Sequence, residues 1–402
     1  MKILLICNKS PWPPREGGPI AMNAMIEGLL EAGHQVKVLA INSNKYFVDL
    51  KSIPEDYKEK TRIELVYTDL KIKLADAFLN LFSTKSYHVQ RFITRELRST
   101  IERILNEEEF DIIQLETLFV TPYLDVIRRM SKAPVFLRAH NIEHFIWKRL
   151  YEREKNPIRK FYLKHLFKTL SQYETETVKN IDGVIAITSV DASFYAKLLP
   201  PDRVISIPFG ISGKQITNIT RIPLSDFDNN IFHIGSMNWL PNQEGIKWFI
   251  KEVWPELKKN NPKLLLHLAG REMPEWLNNS HEQDIIIDGE VADSIQYMRK
   301  HRLMIVPLFS GSGIRIKIIE GMMAGCVVIS TAIGAEGIDY VDGESILIAN
   351  GKHDFINAIS RILQDKTFAE KIGKAASQLI TEKHNNLLLI KRLETFYQHY
   401  TN

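Results

Sequence analysis

Three charged residues, Arg315, Lys317 and Glu320, stand at the start of a helix that the sequence predicts over 314–324. Cations in a first turn oppose the helix dipole, which favours acidic residues there, so an anionic ligand would remove the conflict. The unpaired N–H groups of the helix start and the forked guanidinium of Arg315 suit a phosphate. Lys317 and Glu320 are three residues apart and share one helix face. The spacing therefore predicts a ligand with phosphates beside the cation and hydroxyls beside the carboxylate.

A buried strand and a glycine loop must position these charges. Residues 303–308 form a short apolar run, which is typical of a strand buried on both faces of a parallel sheet. The loop brings the backbone close to a ligand through four residues: Gly311, Ser312, Gly313 and Ile314. Strand, glycine loop and helix also recur in α/β proteins without this role, but the three charges favour nucleotide binding. A dinucleotide-binding GxGxxG loop is disfavoured because Ile316 stands where that motif requires glycine.

The stretch SGSGIRIKIIEGMMAGCVVISTAIGAEG, residues 310–337, closely resembles the donor-site segment of family 4 glycosyltransferases, which have the GT-B fold. The resemblance is strongest over 232–349 and implies a retaining, bacterial-type enzyme that uses a nucleotide-diphosphate sugar without a metal or other cofactor. It also implies that Glu320 holds the nucleotide ribose. The family's usual first glutamate, eight positions earlier, falls on Ser312, and a subset of the family is similar to this chain in having a GSGIRIK-like loop instead.

Length and composition fit a globular protein of two domains. The chain has 402 residues, of which 45% are hydrophobic and 25% charged, and these ordinary values exclude disordered and fibrous classes. The net charge of +4 is spread over interleaved acidic and basic residues, so nucleic acid is not an expected partner. Cys7 and Cys326 lie in apolar runs, which favours buried free thiols in a reducing compartment. With no run of roughly 18 to 20 apolar residues and no signal-like start, we expect a cytoplasmic protein whose membrane contact is at most peripheral.

The chain opens with a predicted strand–helix–strand unit over 2–7, 20–31 and 35–41. Gly17 and Gly18 lie in the loop after the first strand, and ligands of open α/β sheets bind beyond the carboxyl ends of the strands. The two glycines are therefore predicted at the edge of a cleft, with a plain connecting loop as the alternative. The resemblance favours the cleft, because family members have a similar glycine pair facing the donor phosphates.

Polar residues also follow two later predicted strands. Glu116 ends one of them, and Arg138 and His140 follow the other. The residues alone leave open whether His140 is a hydrogen-bonded structural histidine or part of a site. The resemblance implies that His140 lies close to the donor sugar and the acceptor hydroxyl. Glu116, Arg138 and Glu143 are weaker candidates, because charged residues at strand ends often only face water.

The basic segment, residues 147–170, combines cations with large apolar side chains on two predicted helices divided by Pro157. Such a surface is typical of helices that lie in the interface of a membrane. The alternative is an amphipathic helix packed on its own domain with its basic face in solvent. RNA binding is disfavoured because no motif of an RNA-binding module accompanies the charge.

The first predicted domain, 1–211, ends before a polar stretch, 212–229, that we interpret as a linker. The DxD pair at 226–228 is interpreted as a solvated turn, because it precedes a strand, whereas a metal–diphosphate site would need it at a strand's carboxyl end. The second domain, 230–384, repeats the alternation of strands and helices, which indicates a parallel sheet. Residues 385–402 form a final helix that, by the resemblance, returns to the first domain.

Gly235 follows the first strand of the second domain and is a further candidate for donor binding. The family usually carries Arg and Lys just after this strand to hold the diphosphate, whereas this chain has Ser236 and Asn242. The phosphate charge must therefore be met elsewhere, which gives Arg315 and Lys317 a reason to be present.

Together these features predict an α/β protein of GT-B fold, with two Rossmann-like parallel-sheet domains facing across a cleft. The expected activity is that of a hexosyltransferase that moves a sugar from a UDP- or GDP-sugar to a hydroxyl of a glycan or lipid-linked acceptor, in cell-surface polysaccharide or glycolipid synthesis. His140, Arg315 and Glu320 are the expected catalytic residues. Two alternatives stay open: a nucleotide-sugar epimerase of the same fold, and a non-catalytic nucleotide-sugar-binding subunit.

Overall fold

Two compact units make up the chain in this computed structural model, which describes residues 1–15, 17–71, 76, 79–221, 229–278, 284–310 and 313–401. One unit consists of Met1–Gly210 together with Asn386–Asn402, and the other of Ile211–Asn385. In the described part of the chain, each unit contains one parallel sheet whose strands are connected largely through helices. This is the predicted α/β class.

The first sheet has the strand order β3-β2-β1-β4-β5-β6-β7, and its pairings are parallel. Its strands are β1 Lys2–Cys7, β2 Gln35–Ser43, β3 Glu64–Thr68, β4 Ile112–Glu116, β5 Val135–Ala139, β6 Gly183–Ala186 and β7 Val204–Ser206. Alternate side chains of β1 enter different cores: Leu4 and Ile6 pack into one hydrophobic cluster, and Ile3 and Leu5 into another. Both faces of the sheet are buried, which is why the strands appear in the sequence as continuous apolar runs.

The helices of the first unit, within the described residues, include α1, whose start differs from the prediction. They are α1 Gly17–Glu31, α2 Glu55–Thr61, α3 Tyr87–Gln90, α4 Arg95–Glu107, α5 Leu124–Met130, α6 Glu143–Arg153, α7 Pro157–Lys179 and α8 Ser189–Tyr195, with 3-10 turns at Leu50–Ser52, Leu118–Tyr123 and Pro201–Arg203. Because α1 begins at Gly17 rather than at residue 20, Gly17 and Gly18 lie in its first turn and not in a loop. Their backbone N–H groups are therefore among the unpaired donors of a helix start.

The second sheet has the strand order β10-β9-β8-β11-β12-β13, again with parallel pairings. Its strands are β8 Asn230–Ile234, β9 Leu265–Ala269, β10 Ile285–Gly289, β11 Leu303–Val306, β12 Val327–Ser330 and β13 Leu347–Ile348. The described helices of this unit are α9 Gly213–Arg221, α10 Leu240–Trp248, α11 Trp254–Asn260, α12 Glu275–Asn278, α13 Ser294–His301, α14 Ile316–Met323, α15 Lys352–Gln364 and α16 Lys366–Lys383, and the π-helical turn Phe249–Val253 joins α10 to α11.

The final helix, α17 Asn386–Thr401, packs on the first unit. Asn386 Nδ2 donates a hydrogen bond to the carbonyl oxygen of Ala24 at 2.8 Å. The ring of Phe136 lies 5.5 Å from that of Phe396 and 4.8 Å from that of Tyr397, centroid to centroid. These contacts confirm the predicted return of the last helix.

The predicted linker, 212–229, is described only in part. Its first half forms α9, which the polar sequence did not predict, and α9 belongs to the second unit. The DxD pair at 226–228 lies outside the described residues. Cys7 and Cys326 are buried free thiols, as predicted. No described helix is long and apolar enough to cross a membrane.

Each sheet reverses its strand order beside its first strand, between β1 and β4 in one and between β8 and β11 in the other. Connections leave such neighbouring strands in opposite directions and open a crevice at their carboxyl ends, where ligands of open α/β sheets bind. Glu116 ends β4, and Gly235 follows β8. The predicted site residues therefore gather at the switch point of each sheet.

Candidate functional site

Lys317 connects three elements at the switch point of the second sheet. It lies in the first turn of α14, and its Nζ is 2.9 Å from Oδ1 of Asn242 in α10 and 3.3 Å from Nε2 of His233 in β8. Gly235 makes this approach possible, since a Cβ there would stand 3.0 Å from Lys317 Nζ and 2.9 Å from Asn242 Nδ2. The structure thus brings Lys317 and Gly235 together, as a shared site requires.

The protonation states of Lys317 and His233 are set mainly by burial. Burial, followed by the nearby Arg315 guanidinium, lowers the pKa of Lys317 to about 7. Burial, followed by the Lys317 cation, also holds the pKa of His233 well below its usual range, so His233 is neutral. His233 Nδ1 lies 2.9 Å from the carbonyl oxygen of Ile305 and carries the proton, which leaves Nε2 as the acceptor for Lys317.

Arg315 lies directly before α14 and is buried. Its Nη1 donates to the carbonyl oxygen of Gly313, and its Cζ lies 5.2 Å from the ring centroid of Trp239, the residue before α10. Stacking on an aromatic face restricts the guanidinium and adds a cation–π attraction. Arg315 therefore contacts the segment that connects β8 to α10, and Lys317 contacts the two elements that this segment joins, so the two predicted phosphate cations lie near each other.

Glu320 follows Lys317 by three residues on α14 and is half-buried. Burial raises the pKa of its carboxyl to about 7. Hydroxyl donors of a ligand would favour the ionised form. The predicted combination of a cation and a carboxylate on one helix face is present.

The predicted glycine loop is described only at its end. Gly313 has a φ of +80°, a left-handed conformation that favours glycine, and Ile314 is half-buried. Gly311 and Ser312 lie outside the described residues, so their backbone contact with a ligand stays a prediction.

Glu116 is the centre of a buried network in the first unit. Its carboxylate accepts hydrogen bonds from Gln114 Nε2 at 2.6 Å, from Arg138 Nη1 at 3.3 Å and from His140 Nε2 at 2.7 Å. Strand register explains part of this, because Glu116 lies opposite Arg138 in the β4–β5 pairing. Tyr397 of α17 extends the network by donating to Gln114 Oε1.

Charge in this network is balanced internally. Burial raises the pKa of Glu116, but Arg138 and His140 outweigh it and hold the pKa below its usual range. Burial lowers the pKa of His140 more than Glu116 raises it. His140 is therefore neutral near pH 7, with its Nε2–H donating to Glu116 and its Nδ1 acting as an acceptor suited to a hydroxyl.

The first turn of α1 meets this network. A Cβ on Gly18 would stand 2.9 Å from Cε of Lys9, and the Lys9 charge helps to lower the pKa of His140. Arg138 Nη1 also donates to the carbonyl oxygen of Ala21 in α1 at 3.1 Å. The predicted glycine pair and the predicted histidine thus belong to one region of the first unit.

Glu143 belongs to a separate buried cluster that fastens α6 to α7. Glu174 in α7 accepts from the backbone N–H groups of Glu143 and His144 at 3.2 and 3.0 Å, and from Tyr195 Oη at 2.7 Å. It thereby caps the start of α6, whose own N-cap residue makes no side-chain hydrogen bond. Burial, followed by the charge of Glu174, raises the pKa of Glu143 to about 8. The contacts of this cluster are those of a helix anchor.

The basic segment divides into packed and exposed parts. Trp147 stacks on His88 with ring centroids 3.9 Å apart, and Leu166 is buried in the same unit. Ile158 and Phe161, near the start of α7, are 80% and 67% exposed. The start of α7 therefore presents apolar side chains among cations, and Leu150 of α6 is also exposed, at 46%, while Trp147 and Leu166 serve packing.

Some residues of these networks were not predicted: Lys9, Gln114, His233, Trp239 and Tyr397. A usable signal existed for Gln114 and His233, because a polar residue inside an apolar strand run must find a buried partner. Among the described residues, no three His, Cys, Asp or Glu side chains are grouped to hold a metal ion.

Comparison with known sequences points to the same segment. Residues 228–365 match the family model described as Glycosyl transferases group 1, and this range contains the switch-point residues of the second sheet. Over almost its whole length the chain is similar to an uncharacterized 44.6 kDa protein in the cps region of Klebsiella pneumoniae. The two are 22% identical over 396 residues, which cover 96% of this chain and 97% of the relative.

Solved structures with the same fold cover nearly the whole chain. Sucrose-phosphate synthase from Thermosynechococcus elongatus superposes with a TM-score of 0.67 at 15% identity, covering 99% of this chain and 98% of that one. Anabaena Alr3699/HepE in complex with UDP and glucose gives 0.64 at 13% identity, covering 99% and 100%. A mutant of S. aureus TarM in complex with Fondaparinux, alpha-GlcNAc-glycerol and UDP gives 0.67 at 12% identity, covering 99% and 100%. The chain has the GT-B fold, with two Rossmann-like parallel-sheet domains.

Proposed function

We propose that this protein is a glycosyltransferase that moves a sugar from a nucleotide-diphosphate sugar to an acceptor hydroxyl. The observation that carries the proposal is that Arg315 contacts the residue before α10 while Lys317 contacts β8 and α10, with Glu320 on the same helix as Lys317. The match of residues 228–365 to the group 1 glycosyltransferase model supports it independently.

Departure of a nucleoside diphosphate leaves negative charge on its terminal phosphate. Arg315 and Lys317 stabilise that charge from fixed positions, and such preorganised electrostatic stabilisation is usually the largest contribution to catalysis of this kind. The diphosphate in turn raises the pKa of Lys317 toward its ordinary value, so that the ligand and the ammonium stabilise each other. Glu320 accepts hydrogen bonds from the ribose hydroxyls.

His140 contacts the transferred sugar in this proposal. Its neutral ring accepts a hydroxyl hydrogen bond at Nδ1, while Glu116 fixes the ring through Nε2–H. Arg138 balances the charge of Glu116 from a buried position. His140 therefore affects turnover, and its influence on nucleotide binding is small.

The finer features of the proposal rest on the resemblance and on the relatives. We propose a UDP- or GDP-linked hexose donor and transfer with retention, and neither a metal nor another cofactor is required. A role in cell-surface polysaccharide or glycolipid synthesis is supported by the relative in a cps region, and a UDP-linked donor is supported by the UDP complexes of two structural neighbours. The expected place of action is the cytoplasmic face of the membrane, with peripheral contact through the basic segment.

Mass spectrometry of reaction products tests the proposal. The protein is incubated with a panel of UDP- and GDP-sugars, with and without candidate glycan and lipid-linked acceptors. A glycosylated acceptor together with free nucleoside diphosphate is the expected result. An altered sugar formed without acceptor would identify an epimerase instead, and nucleotide binding without turnover across the panel would indicate a binding subunit.

A further inference from the structure

The Lys317 ammonium is held by two neutral acceptors that come from other elements of the second unit. Asn242 Oδ1 lies 2.9 Å away, and His233 Nε2 lies 3.3 Å away. Asn242 is itself fixed, because its Nδ2 donates to the carbonyl oxygen of Ser236 at 2.8 Å. His233 is fixed by its hydrogen bond to the carbonyl oxygen of Ile305. Both acceptors are therefore oriented without any ligand.

If Lys317 had only a structural role, this arrangement would lower the stability of the fold. Within the described residues, the half-buried Lys317 contacts the neutral groups of Asn242 and His233 and no carboxylate, and removing a cation from water without a counter-charge destabilises a fold. The neighbouring Arg315 guanidinium adds repulsion. An ammonium has three N–H donors, and the two acceptors account for two of them. The third donor is suited to an anion that would remove the cost.

The surroundings select the kind of anion. The start of α14 supplies backbone N–H groups, and Arg315 supplies a fork of donors next to Lys317. Gly235 keeps the strand end clear, since a Cβ there would stand 3.0 Å from Lys317 Nζ. Two adjacent cations at a helix start fit two linked phosphates better than a single carboxylate.

We propose that His233 and Asn242 are positioning residues that hold the Lys317 ammonium at the point where it meets the donor diphosphate, an inference that rests on the proposed function. Ligand affinity then depends on where the ammonium lies and not on which helix carries its side chain. Because Lys317 Nζ lies against the side chain of residue 242, a lysine at 242 with an asparagine at 317 would place an ammonium at nearly the same point.

Calorimetric titration of the full chain with UDP-glucose and with GDP-glucose tests this inference. Lys317→Asn should weaken binding of the preferred probe by about 10- to 100-fold, the range for loss of a hydrogen bond to a charged group. The double variant Asn242→Lys with Lys317→Asn should recover binding to within about threefold of the wild type, since the ammonium returns to its place. His233→Phe, which removes the acceptor and keeps a ring, should weaken binding by about threefold to tenfold.

The matched control is Lys251→Asn, the same substitution at an exposed lysine of the second unit, which should bind like the wild type. Thermal melting of each variant establishes that it is folded. A folded double variant that binds no better than Lys317→Asn, or a Lys317→Asn variant that binds like the wild type, would overturn the inference while leaving the proposed function standing. A wild-type protein that binds neither probe would overturn the proposed function and this inference with it.

Discussion

The buried network around Glu116 in the first unit and the charged residues Lys317 and Glu320 of α14 in the second unit differ in how their charges are balanced. In the first unit, the Glu116 carboxylate meets Arg138 and His140, and its pKa stays below the usual range despite burial. In the second, burial drives Lys317 and Glu320 toward their neutral forms, with a pKa of about 7 for each. A network that balances its own charge fixes side chains in place, whereas one whose charges are suppressed by burial gains most from a ligand that restores them.

Removing the central carboxylate of the first network should have the largest effect. Glu116→Ala leaves the Arg138 guanidinium buried without its counter-charge, and breaking a buried ion pair in this way costs about 3 to 5 kcal/mol of stability. Thermal unfolding followed by calorimetry measures the loss, with the two units treated as separate transitions.

The matched variant in the second unit is Glu320→Gln. Burial already disfavours the charge of Glu320, so its loss should change the unfolding free energy by less than about 0.5 kcal/mol. If Glu116→Ala unfolds like the wild type, or if both variants lose equal stability, the first network is not internally balanced in the way described.

Arg315→Ala should affect the ligand rather than the fold. It removes the proposed charged contact to phosphate and should weaken UDP binding by about 1.5 to 3 kcal/mol, while uridine, which has no phosphate, should bind as before. Titrations with UDP and uridine, and with GDP and guanosine, separate the contribution of the phosphates from that of the nucleoside. Equal weakening of nucleoside and nucleotide would place Arg315 away from the phosphates.

His140→Ala should reverse that pattern. His140 is proposed to contact the transferred sugar, so its loss should lower turnover by about 10- to 100-fold while leaving the affinity for UDP or GDP nearly unchanged. Steady-state kinetics with the donor and acceptor found by product analysis gives the first quantity, and titration with the nucleotide gives the second. Unchanged turnover would return His140 to the structural role that the sequence left open.

The sequence predicted the elements better than it predicted the contacts. Apolar runs marked the buried strands because parallel strands are covered on both faces, and the charges at the start of α14 marked the candidate phosphate site because they oppose the helix dipole. The fixing contacts join distant residues: Lys317 meets His233 84 positions away, and Tyr397 meets Gln114 283 positions away. No local periodicity carries such information.

Composition also left open which apolar side chains of the basic segment are exposed. Trp147 had the same sequence signature as Phe161, a large apolar side chain among cations. The structure stacks Trp147 on His88 and leaves Phe161 exposed. Which aromatic residue faces inward is decided by a neighbouring helix, and only the fold supplies that neighbour.

Lysine substitutions in the two units should also differ in their effect on membrane binding, and this effect should be smaller than those above. Lys164, one turn beyond the exposed Phe161, should contribute about 1 kcal/mol to binding of anionic vesicles, so Lys164→Ala should weaken flotation with phosphatidylserine-containing liposomes by that amount. Lys251→Ala, the same change at an exposed lysine of the second unit, is the control. Binding that is no stronger to anionic than to neutral liposomes would make the basic segment ordinary surface.

We expect a nucleotide-diphosphate sugar to restore the charges of Lys317 and Glu320 that burial suppresses, and proton exchange on binding measures this directly. Bound diphosphate raises the pKa of Lys317, so the contribution of Lys317 is complete below about pH 7 and is lost as the pH rises above it. Bound ribose lowers the pKa of Glu320, so the contribution of Glu320 is complete above about pH 7 and is lost as the pH falls below it. Affinity should therefore be greatest near pH 7.

The measurement is calorimetric titration with UDP-glucose, or with GDP-glucose if the protein prefers it, in buffers that differ in ionisation enthalpy. Neither probe has a group that titrates between about pH 6 and pH 8, Arg315 stays charged and His233 stays neutral over this range. We expect uptake approaching about one proton at about pH 8, from Lys317, and release of a similar amount at about pH 6, from Glu320. Binding without net proton exchange at either pH would contradict this expectation.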